Sequence, residues 1–145
     1  MSSRPEHLGW LIKRIQHGHH RALDKELASV GVSLVQWNAL REIDRNPDRS
    51  QHQLAEITFN SDQAFGTLLN RLIAADLIER RAGLGRATVH RLTRKGRAKL
   101  RDGQHIMFTV THASFRALDD DEGDTLVRLL SKVLGVQNEG KASGN

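Results

Sequence analysis

Near the N-terminus, apolar residues recur at three- and four-residue intervals: Leu8, Leu11, Ile12, Ile15, Ala22, Leu23 and Leu27. That spacing predicts one amphipathic helix over residues 8–29, ended by Gly31 as a C-terminal cap. Ser33-Leu34-Val35-Gln36 fits a capping box and opens a second helix carrying Trp37, Leu40 and Ile43. Asn46-Pro47-Asp48 ends it as a turn. Ser50-Gln51-His52-Gln53 is a second capping box, opening a short third helix through Leu54, Ala55 and Ile57. After the break Thr58-Phe59-Asn60, Ser61 caps a fourth helix, with Asp62 in its first turn favouring the helix dipole. Phe65, Leu68, Leu69, Leu72 and Ile73 form the buried stripe of that helix. Gln63, Ala64, Thr67, Asn70 and Arg71 are left on or beside its open face.

Leu77-Ile78-Glu79-Arg80-Arg81 and the run from Arg86 to Leu92 read as two strands joined by Ala82-Gly83-Leu84-Gly85, a tight glycine turn. The second strand alternates imperfectly, since Val89 and Leu92 do not share a face. Thr93 caps a fifth helix that runs to about Ala117. Its later half is apolar almost all round: Ile106, Met107, Phe108, Val110, Ala113 and Phe115. Asp119 and Glu122 are spaced as a third capping box, before Leu126, Val127, Leu129, Leu130, Val133 and Leu134. Residues 137–145 are polar and glycine-rich and read as a disordered tail.

The expected fold is mainly α with a small β-hairpin. Residues 33–93 form a winged helix-turn-helix, and residues 8–29 and 94–134 form long terminal helices outside it, within one domain spanning 1–145. The apolar faces of the terminal helices call for a partner, and a second copy in a symmetric interface is the simplest one. Their folding back onto the lobe is the alternative. Trp10, Trp37, Met107 and Phe108 are expected in the core.

Composition narrows the chemistry. The 145 residues include no cysteine, which excludes disulfides and thiolate zinc sites. The first residues are short and polar and no run reaches transmembrane length, so a soluble, cytoplasmic protein is expected. The net charge is +5, and Arg80, Arg81, Arg86, Arg91, Arg94, Lys95, Arg97, Lys99 and Arg101 crowd into the hairpin and the helix after it. That cluster favours an anionic partner. A glycine-rich phosphate loop, a nucleophile motif and paired carboxylates are all missing, so neither an enzyme nor a cofactor is expected.

A helix-turn-helix with a basic hairpin has one dominant use, placing a helix in the major groove of double-stranded DNA. Ser50, Gln51, Ser61, Gln63, Ala64, Thr67, Asn70 and Arg71 are the candidate contacts from the helices, and Arg86 and Thr88 those from the hairpin. Short polar side chains suit base edges, and Gln63 can read adenine bidentately. Ser50 and Ser61 sit at helix N-termini, where exposed N–H groups can hold a phosphate. Arg71 suits a phosphate clamp or an intramolecular ion pair equally. The histidines His17, His19, His20, His105 and His112 raise a zinc-responsive alternative. Against it, His105 and His112 are two turns apart, about 10.5 Å along a helix, too far to share one ion. No metal site is expected.

The order of these pieces resembles the MarR family of bacterial transcriptional regulators over roughly residues 8–134. The resemblance rests on Leu54-Ala55-Glu56, the Ser61 cap, Asn70-Arg71-Leu72, Leu77-Ile78-Glu79-Arg80-Arg81, and Arg86 leading on to Leu92-Thr93-Arg94-Lys95-Gly96. It implies a homodimeric repressor of a pseudo-palindromic operator, released by a small-molecule effector. The effector pocket it implies lies where the first, second and fifth helices meet the DNA-binding lobe, with Arg14, His17, Trp37, Arg41 and Phe108 as candidate lining residues. Two positions depart from the family pattern. Gly66-Thr67 stands where the family often has Thr-Arg, and Leu84 stands where it has an Asp bracing the wing arginine. The first departure supports a second alternative, a winged-helix protein-interaction module that has lost specific DNA binding.

Overall fold

The structure, a computed structural model, describes residues 4–85 and 87–136. In chain order the elements are α1 Pro5–Leu27, a 3-10 turn Ala28–Val30, α2 Leu34–Arg45, α3 Gln51–Ile57, α4 Asp62–Ala74, β1 Ile78–Ala82, β2 Thr88–Leu92, α5 Arg94–Phe115 and α6 Asp120–Leu134. The winged helix-turn-helix expected from the sequence is present. The chain divides into two compact units, residues 1–110 and 111–145, with the division inside α5. The expected tail, residues 137–145, lies outside the described residues.

The helix boundaries follow from local hydrogen bonding. Ser33–Gln36, Ser50–Gln53 and Asp119–Glu122 each form a reciprocal capping box, and Ser61 Oγ accepts from Ala64 N. Each cap contributes about 1 kcal/mol by satisfying N–H groups that the first turn leaves without partners. Four helical segments end the same way, with a left-handed residue after the last turn: Gly31, Phe59, Asp76 and Gly135. At Phe59 the closing pair is Asn60 N to Ala55 O and Phe59 N to Glu56 O; at Asp76 it is Leu77 N to Leu72 O and Asp76 N to Ile73 O. These are Schellman closures. The one at Phe59 makes the sharp turn between α3 and α4.

The core of the first unit gathers Leu23 and Leu27 of α1, Leu34, Trp37, Ala39, Leu40 and Ile43 of α2, Leu54 and Ala55 of α3, and Phe65, Leu69 and Leu72 of α4. Leu77, Ile78 and Leu92 close it from the base of the hairpin. The strands pair antiparallel from Ile78–Leu92 to Ala82–Thr88. The connection is therefore Gly83–Ala87, one residue longer than the turn expected from the sequence, and Gly83 N bonds Ala87 O. Val89, His90 and Leu92 are all buried, which explains the broken alternation: both faces of β2 are covered.

Two glycines set how closely α5 approaches the lobe. A Cβ at Gly96 would lie 2.0 Å from the Leu77 carbonyl oxygen, and one at Gly103 would lie 2.2 Å from Trp37 Nε1. The Trp37 indole N–H donates to Leu100 O of α5 at 3.1 Å, giving that carbonyl a second donor beside its helical one.

Trp37 is buried and Met107 half-buried, but Trp10 is 54% and Phe108 59% exposed, against the expectation that all four are core. The stripe Leu8, Leu11, Ile12 and Ile15 is likewise exposed. The lobe covers only the C-terminal turns of α1, so helical spacing marked an apolar face without fixing what covers it. In the second unit, no described residue of α6 is buried.

Helix propensity favours alanine over glycine by about 1 kcal/mol, yet Gly96→Ala and Gly103→Ala should each lower stability by about 1–3 kcal/mol through overpacking. Gly123→Ala, with open space around its Cβ in the single chain, should be neutral or stabilising. Urea denaturation of the three variants checks the reversal of sign. A second expectation concerns His90. It is 3% exposed, neither ring nitrogen has a hydrogen-bond partner among the described residues, and burial with the facing Arg80 holds its pKa below the ordinary value. The unfolded chain therefore binds this proton more readily. The stability His90 contributes is complete above its unfolded pKa of about 6.5 and is lost as pH falls through the lower folded pKa. His90→Leu should flatten the decline of the urea midpoint below that pH.

Candidate nucleic-acid interface

The α3–α4 pair presents the polar face that the sequence predicts. Gln63, Ala64, Thr67, Asn70 and Arg71 are all exposed along α4, while Phe65, Leu69 and Leu72 are fully buried beneath them. The 3.6-residue period divides the helix this way, and the Ser61 cap fixes where it starts.

The side chains are partly committed. Ser50 Oγ and Ser61 Oγ accept cap bonds at 3.2 and 3.1 Å. Thr67 Oγ1 donates to Gln63 O at 3.1 Å, which leaves its oxygen lone pairs open. Asn70 Oδ1 accepts from Arg80 at 2.8 Å, tying α4 to β1. Arg71 is exposed and forms no ion pair among the described residues. A Cβ at Gly66 would lie 3.0 Å from Gln51 Nε2, so this glycine leaves room for the Gln51 amide beside α4. Thr88 is exposed at the start of β2, across from Ala82. Arg86 lies outside the described residues.

Sequence reasoning passed over His52. It sits on α3 with Nδ1 2.8 and 3.0 Å from the two carboxylate oxygens of Asp62 at the start of α4. Its Nε2 is 3.2 Å from Glu56, one turn along α3. The Asp62 hydrogen bond and charge, then the Glu56 charge, raise its pKa above the ordinary histidine value. The four-residue spacing of His52 and Glu56 was visible in the sequence, whereas the contact with Asp62 exists only because the Phe59 turn folds α4 back against α3.

Much of the basic cluster serves the fold. Lys95 Nζ donates to Ala75 O at the end of α4, Lys99 Nζ to Val30 O at the end of the 3-10 turn, and Arg97 to Leu92 O. Arg91 donates to Pro47 O in the α2–α3 turn, Arg81 pairs with Glu79, and Arg80 is held by Asn70. Cations on helix-end carbonyls satisfy acceptors that the last turn leaves open and suit the negative end of the dipole. Arg94 and Arg101 are exposed.

Of the residues suggested for an effector pocket, Trp37 is buried with the Arg41 guanidinium 5.4 Å from its ring centroid. Arg14, His17 and Phe108 are exposed. Two open hollows lie along the end of α1, one lined by residues including His20, Arg21 and Lys25, the other by residues including Asp24, Gly31 and Gln36. Neither includes the suggested pocket residues. Among the described residues no three His, Asp or Glu groups converge to hold a metal ion, and no helix is long and apolar enough to cross a membrane.

Residues 30–87 match the sequence model of the MarR family. Among solved structures, a mutant MarR from E. coli complexed with operator DNA superposes with a TM-score of 0.80 at 24% identity, covering 88% of this chain and 93% of that one. A MarR family protein of Mycobacterium tuberculosis in complex with p-aminosalicylic acid gives a TM-score of 0.73 at 25% identity, covering 87% and 97%. A probable transcriptional regulator from Pseudomonas aeruginosa gives 0.74 at 25%, covering 86% and 95%. No curated protein is similar enough in sequence to count as a match. The family match falls on the second, third and fourth helices and the first strand of the hairpin, elements of the winged helix-turn-helix, so over this stretch the chain is similar to the MarR family of transcriptional regulators.

Proposed function

We propose that this chain is a homodimeric, cytoplasmic repressor that binds a pseudo-palindromic duplex through α4 and the hairpin and is released by a small-molecule ligand. The observation that carries the reading is the exposed polar row of α4, Gln63, Thr67, Asn70 and Arg71, on a helix locked at its start by Ser61 and along its side by Asn70–Arg80. The operator complex of the E. coli relative supports a DNA partner. The salicylic acid and p-aminosalicylic acid complexes of the mycobacterial relative support a small-molecule effector. Arg14, His17, Trp37, Arg41 and Phe108 remain the proposed lining of its pocket. Homodimerisation is supported by the exposed apolar stripe of α1 and, separately, by Val127, Leu129, Leu130, Val133 and Leu134 on α6.

A winged-helix interaction module without DNA binding is the competing reading. Glycine and threonine in place of the family's mid-helix pair favour it, as do the intramolecular partners of the basic residues. Fluorescence anisotropy on random duplex at low salt separates the two. Micromolar affinity that collapses as salt rises supports DNA binding, through counterion release, and no binding at any salt supports the interaction module.

Base contacts specify sequence and backbone contacts position the protein. Gln63→Ala should therefore cost about 1–3 kcal/mol on a selected operator and much less on scrambled duplex. Leu130→Asp tests the dimer, because burying an unpaired charge at an interface costs about 3–5 kcal/mol. Sedimentation should show wild-type dimer at micromolar concentration, and monomer or aggregate for the variant, with operator binding lost. A monomeric wild type would overturn the dimer.

A further inference from the structure

The clip at His52 has a protonation state written into its geometry. Both ring nitrogens face carboxylate oxygens: Nδ1 the pair on Asp62, at 2.8 and 3.0 Å, and Nε2 that of Glu56, at 3.2 Å. A neutral imidazole has one N–H donor, and an ionised carboxylate only accepts. Satisfying both contacts therefore requires the imidazolium. The charged groups acting on His52 are Glu56 from its own helix and Asp62 from α4. All three side chains are about two-thirds exposed, so the cluster sits in solvent and not in the core. It lies on the α3–α4 pair, and its sequence neighbours Gln51 and Gln63 are among the candidate DNA contacts.

Two carboxylates on such a surface are unusual chemistry for docking a polyanion. With the proton, the cluster carries a net charge of about −1; without it, about −2, with the carboxylate oxygens turned loose. Approaching phosphates would strengthen the hold on the proton, and by linkage the proton strengthens the hold on DNA.

We propose that His52, as its imidazolium, is a positioning residue of the DNA-binding surface: it covers the charges of Asp62 and Glu56 against the DNA backbone, so that this protein takes up a proton when it binds duplex. The inference rests on the DNA-binding reading above. The raised histidine pKa fits it in direction, since it keeps the clip closed to a higher pH than an ordinary histidine would.

The test is anisotropy on one duplex at fixed salt, from pH 6 to 9, with the full chain. Wild-type affinity should fall as pH rises, with a limiting slope of about one proton per subunit. His52→Gln should bind like the high-pH wild type at every pH, and His52→Arg should bind tightly with the pH dependence gone. Glu56→Gln with Asp62→Asn separates shielding from a merely structural tie. Shielding predicts that the double variant binds tightly at high pH as well as at low, whereas a structural tie predicts weakened binding. NMR titration of the free protein gives an independent readout: the His52 ring should titrate above ordinary histidine and return to it in the double variant. A wild-type pH slope retained in His52→Gln overturns the inference and leaves DNA binding standing. Weakened binding by the double variant also overturns it. A wild type that binds no duplex at any pH removes both.

Discussion

The close approach of α5 to the rest of the lobe is the contact on which the remaining geometry of the first unit depends. It is possible only because Gly96 meets the Leu77 backbone and Gly103 meets the Trp37 indole at distances no side chain tolerates. Trp37 then does three things at once. It fills the core of α2, donates its indole N–H to Leu100 O, and offers its ring face to Arg41. The same docking carries Thr93, Lys95 and Lys99 to the open carbonyls at Asp76, Ala75 and Val30. One packing event therefore closes the ends of two other helical segments, and the start of α5 sits where α4 and the hairpin meet.

This division of labour changes how the positive charge of the chain is understood. A run of arginines and lysines after a helix-turn-helix looks like a footprint for phosphate. In the fold most of these cations already hold a carbonyl, an amide oxygen or a carboxylate. Their charge still contributes to the field around the hairpin, but their directional hydrogen bonds are largely spent on the protein. The surface of α4 is correspondingly economical: short polar groups, one exposed arginine at 71, and a carboxylate at 62 balanced by a histidine from the neighbouring helix.

Much of the fold was legible in the sequence because it is local. Ser33–Gln36, Ser50–Gln53, Ser61 and Asp119–Glu122 fix helix starts through bonds that span three residues, and all of them form as their spacing indicates. The buried stripe of α4 and the left-handed Gly31 are equally short-range. The left-handed turn at Phe59 was legible only as a break, since nothing in a phenylalanine announces that backbone; the Schellman hydrogen bonds impose it.

What the sequence determined by itself is the set of elements, the capped helix starts and the polar face of α4, because a helical period and a capping side chain act over a few residues. What tertiary structure decided is which groups meet across long separations. Trp10 and Phe108 have the apolar character of core residues, yet both are more than half exposed. His90 is polar by type, yet both of its strand's faces are covered. Asp62 is a helix-start acid by position, yet it is also the partner of a histidine ten residues earlier. Burial and pairing are set by the neighbours that folding supplies, and a residue type with its spacing carries no record of them.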